Sequence, residues 1–226
     1  PFKQPEGNAW MIFPYEVENG TARLYTEEEM EERFPRTWSY LKEHKDHLDP
    51  EVEDVGRTSV RGGDEKWYQY GRRQSLTKFD GSEKLVWSTL ATQTPYAYDG
   101  KGLVFTGGGN GPYYQLRPRE ASQIDLDGAE QKYSIFYLLA LMSDPVLEAM
   151  VKVRGSDFRG GYYSHGKQFI STLPIRTIDF SDEEEKQLHD GISQLARTLV
   201  STLGELDEAT TPSEKRAFQL RIRSLR

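Results

Sequence analysis

The chain has no cysteine, so it carries no disulfide and no thiolate ligand for zinc or an iron–sulfur cluster, a usage that suits a reducing compartment. Histidine is scarce at four residues, and although His44 and His47 stand three apart, no third ligand accompanies them, so a metal site is not expected. No apolar run approaches the roughly eighteen residues of a membrane span, and no signal-peptide pattern is present. The chain opens Pro1-Phe2-Lys3-Gln4 without methionine, and the expectation is a part of a longer cytoplasmic, prokaryotic protein. Positive charge is also short: 29 Lys and Arg against 36 Asp and Glu give −7, which argues against a protein that coats nucleic acid indiscriminately.

Catalytic signatures are missing as well. There is no Gly-x-x-x-x-Gly-Lys-Ser/Thr phosphate loop and no Gly-x-Ser-x-Gly elbow. Gly107-Gly108-Gly109-Asn110-Gly111 lies between two strand-like segments, where a hairpin turn is the simpler reading than a phosphate cradle. Scattered carboxylates such as Asp64 and Glu65 do not form the Glu-x-Lys arrangement of a metal-dependent nuclease. The residues point to binding rather than catalysis.

What is present is a globular composition, with 36% hydrophobic and 12% aromatic residues in 226, enough for one large or two small domains. Charge is unevenly spread. Residues 1–54 hold 6 basic and 14 acidic side chains, residues 55–180 hold 16 and 13, and residues 181–226 hold 7 and 9. The middle block alone is net positive.

Two aromatic and β-branched runs flank Asn19-Gly20 and predict an opening hairpin. Thr26 with Glu29 predicts a capping box for a short acidic helix, and Pro35 a second helix on which Trp38, Leu41 and Leu48 share a face. Residues 49–64 read as a long loop. Strands are expected around Trp67–Tyr70, Lys84–Thr92, Gly102–Thr106 and Tyr113–Arg117. Helices follow over Glu130–Met142, capped by Asp127, and from Asp144-Pro145 to Val153. Arg154–Lys167 reads as a Gly-rich loop and Phe169–Leu173 as a short strand. Ser181 with Glu184 should cap a helix whose Leu188, Ile192, Leu195, Leu199 and Leu203 form an apolar stripe. A last helix begins at Pro212 and shows Phe218, Ile222 and Leu225. The class is therefore α+β, a mixed or antiparallel sheet packed with helices, with a recognition domain over 1–180 and a C-terminal helical hairpin over 181–226.

Two segments combine donors and stacking surfaces in the way that base reading needs. Around Trp67-Tyr68-Gln69-Tyr70-Gly71-Arg72-Arg73-Gln74, with Arg57, Arg61 and Lys66 nearby, guanidiniums can bond twice to guanine, an amide twice to adenine, and further cations can hold phosphates. The competing reading buries the aromatics and leaves Arg72 and Arg73 solvated. In Asp157-Phe158-Arg159-Gly160-Gly161-Tyr162-Tyr163-Ser164-His165-Gly166-Lys167 the glycines permit close backbone approach, and Arg159, Tyr162, His165 and Lys167 are the candidate contacts, against the alternative that the tyrosines complete a core. Arg117 and Arg119 form a third, smaller cluster.

Segment order resembles the C-terminal specificity domain of the Taq-like and type IIG adenine DNA methyltransferases. The matching stretches are Pro35-Arg36-Thr37-Trp38-Ser39-Tyr40-Leu41 with Leu48, Trp67 to Arg72, Tyr137-Leu138-Leu139-Ala140-Leu141-Met142-Ser143, and Gly161-Tyr162-Tyr163 through Leu173-Pro174-Ile175. The likeness runs from about Trp10 to Phe180, and Met142 stands where the family commonly has asparagine. The resemblance implies a lobe that grips double-stranded DNA opposite a methyltransferase lobe, whose cofactor S-adenosylmethionine would methylate adenine. Neither the family's Asn-Pro-Pro-aromatic motif nor its Gly-rich cofactor loop occurs in this sequence, so the chain is expected to recognise DNA without catalysing a reaction. The rival expectation is a subunit-docking module that uses the apolar faces of the C-terminal helices.

Overall fold

The computed structural model describes residues 2–49, 66–70, 76–78, 81–105, 113–118 and 133–225. The chain divides into two compact units, Gly7–Asp80 and a larger one formed by Pro1–Glu6 with Gly81–Arg226. The sequence-based boundary after residue 180 does not coincide with this division. The class is α+β: every strand pair among the described residues is antiparallel, and the strands form three small sheets rather than one.

In the smaller unit β1 (Tyr15–Glu18) pairs with β2 (Thr21–Leu24) in the register Tyr15↔Leu24 to Glu18↔Thr21. Asn19 and Gly20 both take positive φ, the geometry that lets a two-residue turn follow the strand twist. Thr26 and Glu29 form the expected capping box on α1 (Glu27–Arg33), and α2 (Pro35–Glu43) starts on its proline. Met30, Trp38, Leu41, Tyr25 and Tyr68 make the core, with Leu48 and Trp67 packed against it. Trp67–Tyr70 is a turn and not the expected strand. Its aromatics are drawn inward, with Trp67 stacked on Trp38 at 5.4 Å and the Tyr68 hydroxyl donating to the Tyr25 carbonyl at 2.7 Å.

The larger unit has β3 (Lys84–Ser88) between β5 (Ala97–Asp99) and β6 (Tyr113–Leu116). The expected strand 84–92 is split at Thr89, because the chain leaves this sheet there to form β4 (Leu90–Ala91) in another. Residues 102–105 form no strand; the Leu103 amide instead donates to the Asp99 carboxylate at 2.7 Å. Helix α3 (Ile135–Met142) is capped by Ser134, and the expected cap Asp127 lies outside the described residues. Asp144 caps α4 (Pro145–Arg154) as expected, accepting from the Val146 amide at 2.8 Å. Beyond it lie β7 (Asp157–Phe158), β8 (Tyr162–Ser164) and α5 (Lys167–Ile170). The run expected to be a strand at Phe169–Leu173 thus begins as a helical turn, an ambiguity inherent in short apolar runs.

The C-terminal pair is α6 (Glu183–Glu208) and α7 (Pro212–Ser224). Asp182, not Ser181, caps α6, accepting from the Glu184 and Glu185 amides, while Ser181 bonds to Asp179. The expected leucine stripe holds only in part: Leu199 is buried, but Leu188 and Leu195 are exposed, and the buried line runs through His189, Ser193, Ala196, Leu199, Val200 and Thr202. The small Ser193 and Ala196 admit close packing, and His189 Nε2 accepts from the Ser134 amide at 3.0 Å, which fixes α6 against the start of α3. Ala196 and Val200 join Leu85, Trp87, Tyr96, Phe136 and Leu139 in the core.

Beneath the sheet edge Lys84 and Asp99, cross-strand partners, form a buried ion pair at 2.9 Å, and Asp99 also accepts from the Lys101 and Leu103 amides. Removing one member leaves the other charge stranded in the interior. Lys84→Met is expected to lower the unfolding free energy by about 3–5 kcal/mol, and K84M/D99N to recover part of that loss, as read by urea denaturation followed through tryptophan fluorescence.

Candidate nucleic-acid interface

The Gly-rich segment after α4 is a hairpin. β7 and β8 pair through Asp157↔Tyr163 and Phe158↔Tyr162 around the three-residue turn Arg159-Gly160-Gly161, and β8 pairs on its other edge with β4 through Leu90↔Ser164 and Ala91↔Tyr163. Gly160 and Gly161 take φ of 88° and 76°, a left-handed conformation that a Cβ would strain. Gly155, where α4 ends, sits so close to β8 that a Cβ there would lie 2.8 Å from the Ser164 carbonyl oxygen. The hairpin can leave the helix at this angle only because that side chain is absent.

Strand alternation sorts the side chains onto two faces. Tyr163 and His165 face α4: the Lys152 ammonium stands 5.4 Å from the Tyr163 ring centre, and the His165 ring meets the Glu148 carboxylate at 3.1 Å. Phe158, Tyr162 and Leu90 share the opposite face, and they are 48%, 45% and 41% exposed. Arg159 at the turn and Lys167 at the start of α5 are both exposed, and neither forms an ion pair among the described residues. The result is an open aromatic surface with an exposed cation at its turn, suited to stacking and to phosphate contact.

The base of the hairpin is held by one buried node. His165 is fully buried; its amide donates to the Thr89 carbonyl at 2.7 Å, and its own carbonyl accepts from Trp87 Nε1 at 3.0 Å. Its ring nitrogens lie 3.1 Å from the Tyr163 carbonyl and 3.1 Å from the Glu148 carboxylate. Burial pushes the Glu148 carboxyl up, but the hydrogen bond and charge of His165, helped by Lys152 at 3.4 Å, outweigh this and hold it below its ordinary value of 4.5. His165, expected to contact DNA, is therefore a structural residue: no atom of it is available at the surface. Arg154 is likewise committed, donating to the carbonyl and hydroxyl of Thr172 at 3.1 and 3.0 Å.

The other expected site residues belong to the smaller unit. Tyr70, expected at the interface, is half-buried, its ring packed on Phe13 and Tyr15 and its hydroxyl donating to the Ile12 carbonyl; burial pushes that phenol up to about 12. It serves the unit's own packing. Lys66 is exposed, near enough to Glu28 to add to the larger effects of its own backbone amide and the Thr26 hydroxyl in lowering that carboxyl. Arg57, Arg61, Arg72, Arg73 and Gln74 lie outside the described residues, as does Arg119 of the smaller cluster. Of the candidates, Arg159 and Tyr162 stand exposed on one hairpin of the larger unit, and Lys167 is exposed at the start of α5 beyond its base. Sequence reasoning missed Phe158, Leu90 and Glu148. The first two were legible in principle as same-face partners across a hairpin turning on Gly160-Gly161, whereas the partner of Glu148 comes from another element and leaves no local signal. Among the described residues no group of three His, Asp or Glu side chains is placed to hold a metal ion.

No family model matches the chain. It is similar to the type II restriction enzyme and methyltransferase RM.Eco57I of Escherichia coli, with 28% identity over 192 residues, 85% of this chain. Those residues are 18% of that protein, so the chain spans less than a fifth of the length of the relative it matches.

Because the Glu148 carboxyl is held below 4.5 in the folded state, its ionised form adds stability above that pH and the contribution is lost as pH falls through the lowered value. Glu148→Gln is expected to lower the urea midpoint at neutral pH and to flatten its fall on acidification below about pH 4.5. Limited proteolysis is expected to cut the E148Q chain faster between residues 156 and 164 than the unaltered chain.

Proposed function

We propose that the chain reads double-stranded DNA as the target-recognition part of a restriction-modification protein, with the methyltransferase lobe and its S-adenosylmethionine carried by other parts of the polypeptide. The observation that carries this reading is the hairpin: a base that contributes to the core, and an exposed tip of Phe158, Arg159 and Tyr162 whose Arg159 forms no ion pair among the described residues, with Lys167 exposed beyond the base. Similarity to part of a restriction enzyme and methyltransferase supports the class of partner. So does the order of segments that resembles type IIG specificity domains.

Arginine and lysine at the tip would hold phosphates or read guanine, and the Tyr162 and Phe158 rings would lie against sugars or bases. The Gly160-Gly161 backbone admits close approach. Specific DNA readers commonly bury on the order of 1,000 to 2,500 Å² of protein surface, more than one hairpin offers, so the chain alone should bind weakly and gain specificity with its catalytic lobe.

A second reading is favoured by Leu188 and Leu195, exposed seven residues apart on α6, and Leu220, exposed on α7: these could meet another subunit. Sedimentation of the chain separates the two readings from the side of self-association.

The decisive test is a fluorescence titration of the full chain with labelled duplex at low and moderate salt. Arg159→Ala and Lys167→Ala are each expected to weaken binding and to lower the dependence of log affinity on log salt by about 0.9 per lost phosphate contact. Y162A should weaken binding without changing that slope. Equal, salt-insensitive binding by all four chains would reject the reading.

A further inference from the structure

The C-terminal block is acidic as a whole, yet its two helices carry opposite charge. α6 holds seven acidic side chains against two basic, whereas α7 holds Lys215, Arg216, Arg221 and Arg223 against Glu214 alone. Glu214 is occupied: its carboxylate accepts from the Thr211 amide at 3.0 Å and completes the capping box. Arg221 reaches Glu205 of α6 at 3.6 Å. Lys215, Arg216 and Arg223 have no ion pair among the described residues, and all three are exposed.

At 100° per residue Arg216, Gln219 and Arg223 fall on one line of the helix, with Lys215 at its shoulder, while Ile222 is buried and Phe218 half-buried toward α6. Two ordinary explanations for such charge do not account for it. Favourable interaction with the helix dipole applies to Arg221 and Arg223 in the last turn, but Lys215 and Arg216 stand near the start, where positive charge is disfavoured. Pairing along the helix also fails, since the residues four away from Lys215, Arg216 and Arg223 include no carboxylate. Lys215 and Arg216 thus gain nothing from the helix that carries them.

We propose that α7 is a second phosphate-binding surface, in which Arg216, Gln219 and Arg223, with Lys215, follow one strand of a DNA duplex. Arg216 and Arg223 are separated by seven helical residues, about 10 Å, far enough apart for the two guanidiniums to meet different phosphates of one strand. Guanidiniums and an amide supply donors only or donors on demand, the chemistry a phosphate run accepts. The contact needs no sequence information and would position the duplex while other residues read it. The surface rests on the reading of the chain as a DNA-binding protein.

The test is a fluorescence anisotropy titration of a labelled duplex of arbitrary sequence across a salt series, with the full chain and the variants R216Q/R223Q, R216K/R223K and R159A. R216Q/R223Q is expected to lower the slope of log affinity against log salt by about 2, and R216K/R223K to keep it. The inference is overturned if R216Q/R223Q keeps the parental slope while R159A loses part of it, which leaves the hairpin reading standing. It is also overturned if the lysine variant falls as far as the glutamine variant, since the arginines then act through packing. Loss in R216Q/R223Q with none in R159A upholds α7 and removes the hairpin. A parental chain that binds no duplex at any salt overturns both.

Discussion

The larger unit depends on the buried meeting of Glu148 and His165. This contact joins three stretches: the helix that carries Glu148, the end of the hairpin at His165 just after β8, and, through the backbone of His165, the Trp87–Thr89 segment where the chain passes from one sheet to the next. A carboxylate removed from water is costly unless it finds its partners. Here the ring has an acceptor at each nitrogen, and the carboxylate has Lys152 as well. The alternative to the pair is an unpaired charge in the core, so the hairpin has one position rather than several.

From that fixed base the open face follows. Alternation along β8 sends Tyr163 and His165 toward α4, so Tyr162 must point away from it, and cross-strand register brings Phe158 and Leu90 to the same side. No separate interaction is needed to expose the aromatic surface. The neighbouring Lys84–Asp99 pair plays a comparable part for the central sheet, closing the turn after β5 through two backbone amides.

Local chemistry was the part of this fold most legible in the sequence. Asn19-Gly20, the Thr26 and Glu29 box, Asp144-Pro145 and Pro212 each announce a turn or helix start through interactions among residues three or four apart, and each stands where expected. Leu188 and Leu195 were misleading because periodicity reports a face without saying which neighbour will cover it; His189, polar and off the leucine line, sets the rotation by bonding to Ser134. His165 was misread for the same reason. A histidine among glycines and tyrosines looks solvent-facing until a glutamate from another helix is placed beside it. Net charge over a block was equally blunt, since it averaged an acidic helix with a basic one.

The hairpin also has an evolutionary consequence. Its buried contacts lie at or below Tyr163, and residues 158–162 are all exposed. Selection for folding therefore acts on the frame and leaves the tip nearly unconstrained, provided the two glycines keep the turn. Side chains at its summit can thus be exchanged at little cost to the molecule that displays them.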